Sequence, residues 1–137
     1  MNRYLLDTNV ISEMRKPRPH GGVLAWMAKQ DEEQLFLSAF TMGELQAGVE
    51  KTRRQDPSKA SELETWIDQL AASAQVLPMD IMCFREWGRM TDRKSPQLLG
   101  DAMIAATARV YQLIVATRDE ADFQQFDVRI VNPFKTS

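Results

Sequence analysis

The chain has 137 residues, of which 44% are hydrophobic, 26% charged and 8% aromatic, a composition typical of a globular domain and not of a disordered or low-complexity chain. Seventeen basic against nineteen acidic residues give a net charge of -2, so no overall positive field indicates a nucleic-acid partner. A chain of this length buries roughly two thirds of its unfolded surface, enough for one core. We therefore expect a single domain over residues 1–137.

The chain has one cysteine, Cys83, and one histidine, His20. An internal disulfide and a four-ligand zinc site are thereby excluded, and a reduced, cytoplasmic environment fits best. His20 lies in a loop rich in proline and glycine, where we expect it to be solvated. The longest apolar run, residues 23–28, is far shorter than the roughly 20 residues that span a bilayer. The sequence therefore predicts neither export nor a membrane partner.

Five short apolar runs predict β-strands, most of them buried. Segments of helical periodicity separate them, and strands joined by helices form a mainly parallel sheet covered on both faces. The predicted class is a three-layer α/β/α fold with about five strands. The strand runs are residues 5–6, 35–37, 76–77, 114–116 and 128–131.

Turn and capping signals delimit the predicted helices. One helix begins near Thr41 and ends before Pro57. The spacing of Ser61 and Glu64 resembles a capping box and predicts the start of the next helix there. A further helix ends at residues 94–96, before Gly100 and Asp101 begin another. The apolar positions at helical spacing are Leu63, Trp66, Ile67 and Leu70; Cys83, Trp87 and Met90; and Ile104, Thr107, Ala108 and Tyr111.

Five acidic residues fall near the expected carboxyl ends of strands, which is where open parallel sheets bind ligands. Asp7 follows the first strand. Glu44 falls in the first turn of the helix after the second strand, and Asp101 opens the helix that leads to the fourth. Asp119 and Asp122 follow the fourth strand. We therefore expect these carboxylates to gather at one edge of the sheet.

Each of these acids also has a purely structural interpretation. Asp7 and Asp101 could be helix N-caps, Glu44 could complete a capping box that Thr41 begins, and the last two acids could cap a short helix. Helix capping does not account for the gathering of five carboxylates with only Arg118 adjoining them. Crowded carboxylates resist ionisation unless a cation lies among them.

Oxygen ligands without histidine or cysteine favour a hard ion, Mg²⁺ or Mn²⁺. Such an ion activates water and stabilises charge on phosphoryl oxygens. A nucleotide-binding loop of the Gly-x4-Gly-Lys-Ser/Thr type and a Gly-x-Gly-x-x-Gly turn are both missing after the first strand. Hydrolysis of a phosphodiester is therefore favoured over nucleotide-dependent phosphoryl transfer.

Four motifs in chain order carry a family resemblance: LLDTNVIS at 5–12, MGEL at 42–45, GDAMIAATA at 100–108 and TRDEADF at 117–123. Together they span nearly the whole chain. The sequence resembles PIN-domain ribonucleases of the VapC and FitB toxin branch of bacterial type II toxin-antitoxin systems. The resemblance implies an α/β/α fold and Mg²⁺- or Mn²⁺-dependent cleavage of RNA. It also implies inhibition by a cognate antitoxin protein, operator DNA bound only through that antitoxin, and a homodimer.

By motif position, Asp7, Glu44 and Asp101 match the three acids found most regularly in the family. Asp119 occupies the fourth position and Asp122 matches an acid that commonly precedes Phe, so the fourth acid is one of these two. We expect Asp7, Asp101 and Asp119 to hold the metal and Glu44 to orient or deprotonate the attacking water. The polar residues that match those orienting the acids in the family are Thr8, Asn9 and Thr117.

Binding of RNA requires cations away from the metal. With the five acids assigned to the site, fourteen acidic residues remain against seventeen basic ones, so the rest of the protein is net positive. Each basic cluster is equally well explained as a solvated helix end. The clusters are Arg15, Lys16 and Arg18; Lys51, Arg53 and Arg54; and Arg89, Arg93 and Lys94.

Two alternatives remain open on the sequence. A phosphoryl-accepting receiver domain carries a Thr after strand four and a Lys after strand five, positions that Thr117 and Lys135 satisfy. Receivers also have paired acids after strand one and an acceptor Asp after strand three, where this chain has Thr8 and Pro78. The second alternative is a catalytically silent PIN domain that only binds antitoxin.

Overall fold

The computed structural model describes residues 1–135, which form a five-stranded sheet with helices on both faces. Every neighbouring pair of strands is parallel. The prediction of a three-layer α/β/α fold is confirmed. In the order β3-β2-β1-β4-β5 across the sheet, the strands are β1 (Tyr4–Leu6), β2 (Leu35–Ser38), β3 (Gln75–Leu77), β4 (Ile114–Ala116) and β5 (Ile130–Val131).

Seven α-helices and two single-turn 3-10 helices connect the strands within residues 1–135. In that range, none of the helices is long and apolar enough to cross a membrane. The 3-10 helices are Glu32–Gln34 and Pro96–Leu98. The α-helices are α1 (Thr8–Glu13), α2 (Gly21–Ala28), α3 (Ala39–Arg53), α4 (Pro57–Ser73), α5 (Ile81–Met90), α6 (Leu99–Tyr111) and α7 (Glu120–Gln124).

The central strands divide their side chains between two cores. Leu6 points to the face covered by α1 to α4, whereas Leu5 points to the face covered by α5, α6 and α7. Val115 in β4 shares the face of Leu5, as the two-residue period of a strand requires. Strands β1 and β4 are fully buried, while β3 and β5 at the edges are partly exposed. Continuous apolar runs therefore identified the centre of the sheet most clearly.

The direction of winding reverses at β1. The chain moves from β1 to β2 and β3 on one side, and later places β4 against the other side of β1. In open α/β sheets, ligands bind at such a switch point, beyond the carboxyl ends of the strands. Receiver-type folds have the strand order 2-1-3-4-5, in which β3 lies beside β1. The order found here contradicts the receiver alternative.

Two predicted helix starts are wrong. Helix α3 begins at Ala39, because the Ser38 hydroxyl caps it by accepting a hydrogen bond from the Thr41 amide at 3.0 Å. Glu44 therefore lies in the second turn of α3 and completes no capping box. Helix α4 begins at Pro57, four residues before Ser61, because Asp56 caps it. Ser61, with its capping-box spacing, therefore lies inside α4, which Asp56 already caps.

Three further differences concern segment ends. Helix α6 begins at Leu99, so Asp101 is its third residue and not its N-cap. Strand β5 is limited to Ile130–Val131, and Asp127 just before the predicted run has a positive φ of 52°. The exposed His20 is more than a solvated side chain, because its Nδ1 accepts from the Gly22 amide at 3.0 Å and caps α2.

We predict that Asp56→Ala destabilises the protein, because Asp56 Oδ1 accepts a hydrogen bond from the Lys59 amide at 3.0 Å. Loss of such a cap costs about 1 kcal/mol in the free energy of unfolding. Ser61→Ala, the matched control inside the helix, should change the same quantity by less than about 0.5 kcal/mol, as is usual for surface positions. Urea denaturation measures both. Equal effects of the two substitutions would contradict the observed start of α4.

Candidate active site

The Asp7 carboxylate is buried at the carboxyl end of β1, with 4% of the residue exposed. It caps α1, since its Oδ1 accepts a hydrogen bond from the Thr8 amide at 2.7 Å. Its Oδ2 accepts from the Thr117 hydroxyl at 2.7 Å and from Asn9 Nδ2 at 3.1 Å. The carboxylate is therefore fixed by α1 and by the end of β4. Asp7 is an N-cap, but capping accounts for only one of its two oxygens.

Asn9 and Thr117 extend this network to Asp119. Asn9 Nδ2 lies 3.1 Å from Asp119 Oδ2, so one amide group bridges Asp7 and Asp119. The Asp119 amide donates to the Thr117 hydroxyl oxygen at 2.9 Å. Thr117 itself is fully buried at the end of β4. Asn9 and Thr117 thus form hydrogen bonds with both Asp7 and Asp119.

Glu44 joins the site through Thr8. The Thr8 hydroxyl donates to Glu44 Oε1 at 2.5 Å and lies 3.1 Å from the Thr41 hydroxyl. The Thr41 hydroxyl in turn lies 3.1 Å from that of Ser38, at the end of β2. Ser38 and Thr41 also support the site, although neither was predicted to do so from the sequence. A serine that ends an apolar strand three residues before a threonine is the N-cap signal that could have indicated them.

Burial and mutual repulsion disfavour ionisation of two of the acids. Burial raises the pKa of Asp7 to about 6, against the lowering effect of the hydrogen bonds from Thr117 and Thr8. Burial, followed by the charges of Asp7, Asp122 and Asp119, raises the pKa of Asp101 to about 7. Asp101 is therefore within electrostatic range of Asp7, Asp119 and Asp122. The structure therefore brings together Asp7, Glu44, Asp101, Asp119 and Asp122.

Basic side chains do not neutralise this group. Within residues 1–135, none of the five acids forms an ion pair with Lys or Arg. Arg118, the one basic residue adjoining them in sequence, lies over the ring of Phe134 at 5.1 Å. Carboxylate oxygens that lack a protein cation are chemically suited to a hard divalent ion. Over the same residues, however, no three Asp, Glu, His or Cys side chains form a ready-made metal-binding arrangement.

Two residues that a receiver site would need, Thr117 and Lys135, are engaged in other contacts. The Thr117 hydroxyl is committed to Asp7 at 2.7 Å. Lys135 Nζ pairs with Glu120 at 2.8 Å and with none of the five acids. Together with the strand order, these contacts overturn the receiver alternative.

One basic residue in each predicted RNA-binding cluster forms an ion pair within the protein. Lys16 pairs with Glu13 at 2.9 Å, and Arg53 pairs with Glu64 at 2.8 Å. Arg89 lies 3.5 Å from Glu86. By contrast, Arg15 and Lys51 form no ion pair within residues 1–135 and line a groove beside Glu44.

The sequence profile described as "PIN domain" matches residues 4–128. The chain belongs to the PIN-domain family. It is 36% identical over 142 residues to VapC ribonuclease Y4jK of Sinorhizobium fredii, a match that covers 96% of this chain and 97% of that protein. It is 35% identical to Toxin FitB of Neisseria gonorrhoeae, over 95% of this chain and 97% of the toxin. The predicted family resemblance is confirmed.

Solved structures give the same assignment. The structure of FitAB bound to the IR36 DNA fragment contains a chain 34% identical to this one, with a TM-score of 0.82 over 98% of this chain and 97% of that one. FitAcB from Neisseria gonorrhoeae matches at 32% identity with a TM-score of 0.80, over 96% and 99% of the two chains. This PIN domain therefore shares its fold with the chains of these two structures to which it is similar in sequence.

We predict that Asp101→Asn stabilises the metal-free PIN domain at neutral to basic pH. The pKa of Asp101 is raised from 3.8 to about 7, so the folded state holds the proton more tightly than the unfolded chain. The free energy of unfolding therefore falls as the pH rises from about 4 to about 7, and the neutral amide avoids this loss. With EDTA present and after a discount for solvent screening of this partly exposed carboxyl, the variant should exceed the parent by about 1 kcal/mol in the free energy of unfolding at about pH 8 and match it near pH 4.

Urea denaturation at the two pH values provides the measurement. Asp68→Asn on the exposed face of α4 is the matched control and should show no such pH-dependent gain. A gain for Asp101→Asn that is equal at both pH values would contradict the crowding of charge around this residue.

Proposed function

We propose that this protein is a metal-dependent endoribonuclease and the toxin of a type II toxin-antitoxin pair. The observation that carries the proposal is the convergence of five acids from four separate segments at the β1/β4 switch point, around an Asp7 fixed by Thr8, Asn9 and Thr117. The named activities of its relatives support the reaction class, since full-length relatives carry the names VapC ribonuclease and Toxin FitB.

The metal assignment rests on the donor set. Asp7, Asp101 and Asp119 would hold Mg²⁺ or Mn²⁺, with Asp122 as the alternative to Asp119. Asp7 is fixed by its hydrogen bonds, whereas Asp119 is exposed and Asp122 is partly exposed. When bound, a divalent ion lowers the pKa of water and stabilises charge on the phosphoryl oxygens.

Glu44 is suited to orient or deprotonate the attacking water. Its Oε1 accepts the Thr8 hydroxyl at 2.5 Å, which leaves Oε2 to accept a proton from a water molecule. The residue is exposed, so solvent water reaches it. Because water and not the ribose 2′-hydroxyl attacks, the products carry a 5′-phosphate and a 3′-hydroxyl.

A cognate antitoxin is the proposed protein partner. The solved relatives include FitAB on a DNA fragment and VapBC from Salmonella typhimurium bound to DNA, the latter similar in fold at 21% identity. By analogy, operator DNA would be contacted through the antitoxin, and the toxin would form a homodimer. The acidic site offers an antitoxin a target for basic side chains.

We predict that Asp7→Asn abolishes metal-dependent cleavage of RNA. The amide loses the negative charge that binds the ion, while it keeps an oxygen to accept from Thr117. Cleavage of total bacterial RNA in Mg²⁺, followed on denaturing gels, should fall by at least about 100-fold, as for removal of a metal-binding or charge-stabilising group. EDTA should abolish the parent's activity. Asp68→Asn, the exposed matched control, should cleave at the parent's rate.

Far-UV circular dichroism and urea denaturation establish that Asp7→Asn is folded. A folded Asp7→Asn protein that still cleaves RNA would contradict the assignment of the site. A parent protein that binds antitoxin but cleaves no RNA in Mg²⁺ or Mn²⁺ would establish the catalytically silent alternative instead.

A further inference from the structure

Arg118 belongs to the acid scaffold through its backbone but not through its side chain. It lies between Thr117 and Asp119, both of which take part in the network around Asp7. Its own amide donates to Asn9 Oδ1 at 3.3 Å. A substitution at this position therefore changes the side chain while it leaves that backbone hydrogen bond in place.

The Arg118 guanidinium lies on an aromatic platform. Its central carbon is 5.1 Å from the centre of the Phe134 ring. The Phe134 amide donates to Asn132 Oδ1 at 2.9 Å, and the ring lies 5.2 Å from that of His20, which caps α2. The Phe134 backbone is thus held within its own segment and its ring contacts the start of α2, so the ring can fix the long side chain of Arg118 in one region. Such a contact restricts the guanidinium yet leaves its N–H groups at the edge free.

The charge of Arg118 is available to a ligand. In residues 1–135 it has no carboxylate partner within ion-pair distance, although Asp119 adjoins it in sequence. A groove of about 640 Å³ runs beside the acids and is lined by Arg118, Asp119, Asp122, Gln124 and Lys135, among others. Lys135 is already paired with Glu120 at 2.8 Å. Arg118 is therefore the unpaired cation of this groove within the described residues.

We propose that Arg118, held on the Phe134 ring, binds a backbone phosphate of the RNA strand next to the phosphodiester that is cleaved. This inference rests on the proposed ribonuclease function and assigns a substrate-binding residue to it. A planar guanidinium suits a phosphate, because two of its N–H groups can donate to two oxygens at once. The aromatic platform already restricts the Arg118 side chain, so less conformational entropy is lost when RNA binds. A mobile lysine side chain would lose more. The acids of the groove repel any RNA that does not also engage the metal site.

The test measures RNA binding by fluorescence anisotropy in Mg²⁺, with a short fluorescein-labelled RNA of random sequence. Glu44→Gln serves as the parent, because it removes the proposed base without removing an aspartate. In that background Arg118→Ala should weaken binding about 10-fold, the usual effect of losing a charged hydrogen bond. The slope of log Kd against log salt should fall by about 0.7, the value for one phosphate contact on a single strand.

Two further variants separate phosphate binding from a structural role. Phe134→Leu keeps the charge but removes the platform, and Arg118→Lys keeps a cation without the planar group. Each should weaken binding about 3-fold, less than Arg118→Ala, with little change in the salt slope for Arg118→Lys. Combined with Arg118→Ala, Phe134→Leu should add no further loss, because the ring acts only through the guanidinium.

Arg85→Ala is the control for a lost positive charge, since Arg85 is exposed on α5, which follows β3 at the opposite edge of the sheet from β5. It should leave both Kd and the salt slope unchanged. Equal effects of Arg85→Ala and Arg118→Ala, or an unchanged salt slope for Arg118→Ala, would overturn the inference while the ribonuclease function stands. Failure of the wild-type protein to cleave RNA, together with failure of the parent variant to bind it, would overturn both.

Discussion

The burial of one carboxylate, that of Asp7, is the constraint on which the rest of the structure depends. The carboxylate ends the central strand β1 and is almost inaccessible to solvent. Such burial is tolerated only when hydrogen bonds replace those to water. Thr8 and Asn9 provide two of these from the same segment, while Thr117 provides the third from the end of β4. The neighbouring positions of β1 and β4 are therefore needed by the site as well as by the sheet.

Capping and chemistry are not competing explanations for these acids. Asp7 caps α1 with one oxygen and presents the other to Thr117 and Asn9, so the same side chain starts a helix and anchors the cluster. Asp101, in contrast, caps nothing, and the charges around it raise its pKa. The fold thus fixes Asp7 by hydrogen bonds and leaves Asp101 exposed to the repulsion of neighbouring carboxylates. A cation that lies among the acids relieves this repulsion, which gives the proposed metal both a place and a driving force.

The distribution of charge has more meaning than its sum. Without the five acids near the carboxyl ends of the strands, the basic residues outnumber the acidic ones, seventeen to fourteen. The basic residues are less free than their number indicates, because Lys16, Arg53 and Arg89 pair with acids nearby in the fold. Proximity in sequence to the acids also misleads: Arg118 adjoins Asp119 but lies against an aromatic ring from the end of the described chain.

The sequence by itself determined the fold class and the five strands, because apolar runs are local signals, and it predicted the five acids from their positions near strand ends. It did not determine where α3 and α4 begin, since Ser61 has the sequence spacing of a cap, whereas Asp56, four residues before Ser61 and one before α4, is the residue that caps α4. Only the tertiary structure decided the strand order, the bridge of Asn9 between Asp7 and Asp119, and the chain of hydroxyls from Ser38 to Glu44. These contacts join residues as much as 110 positions apart, and the packing of the sheet alone brings them together.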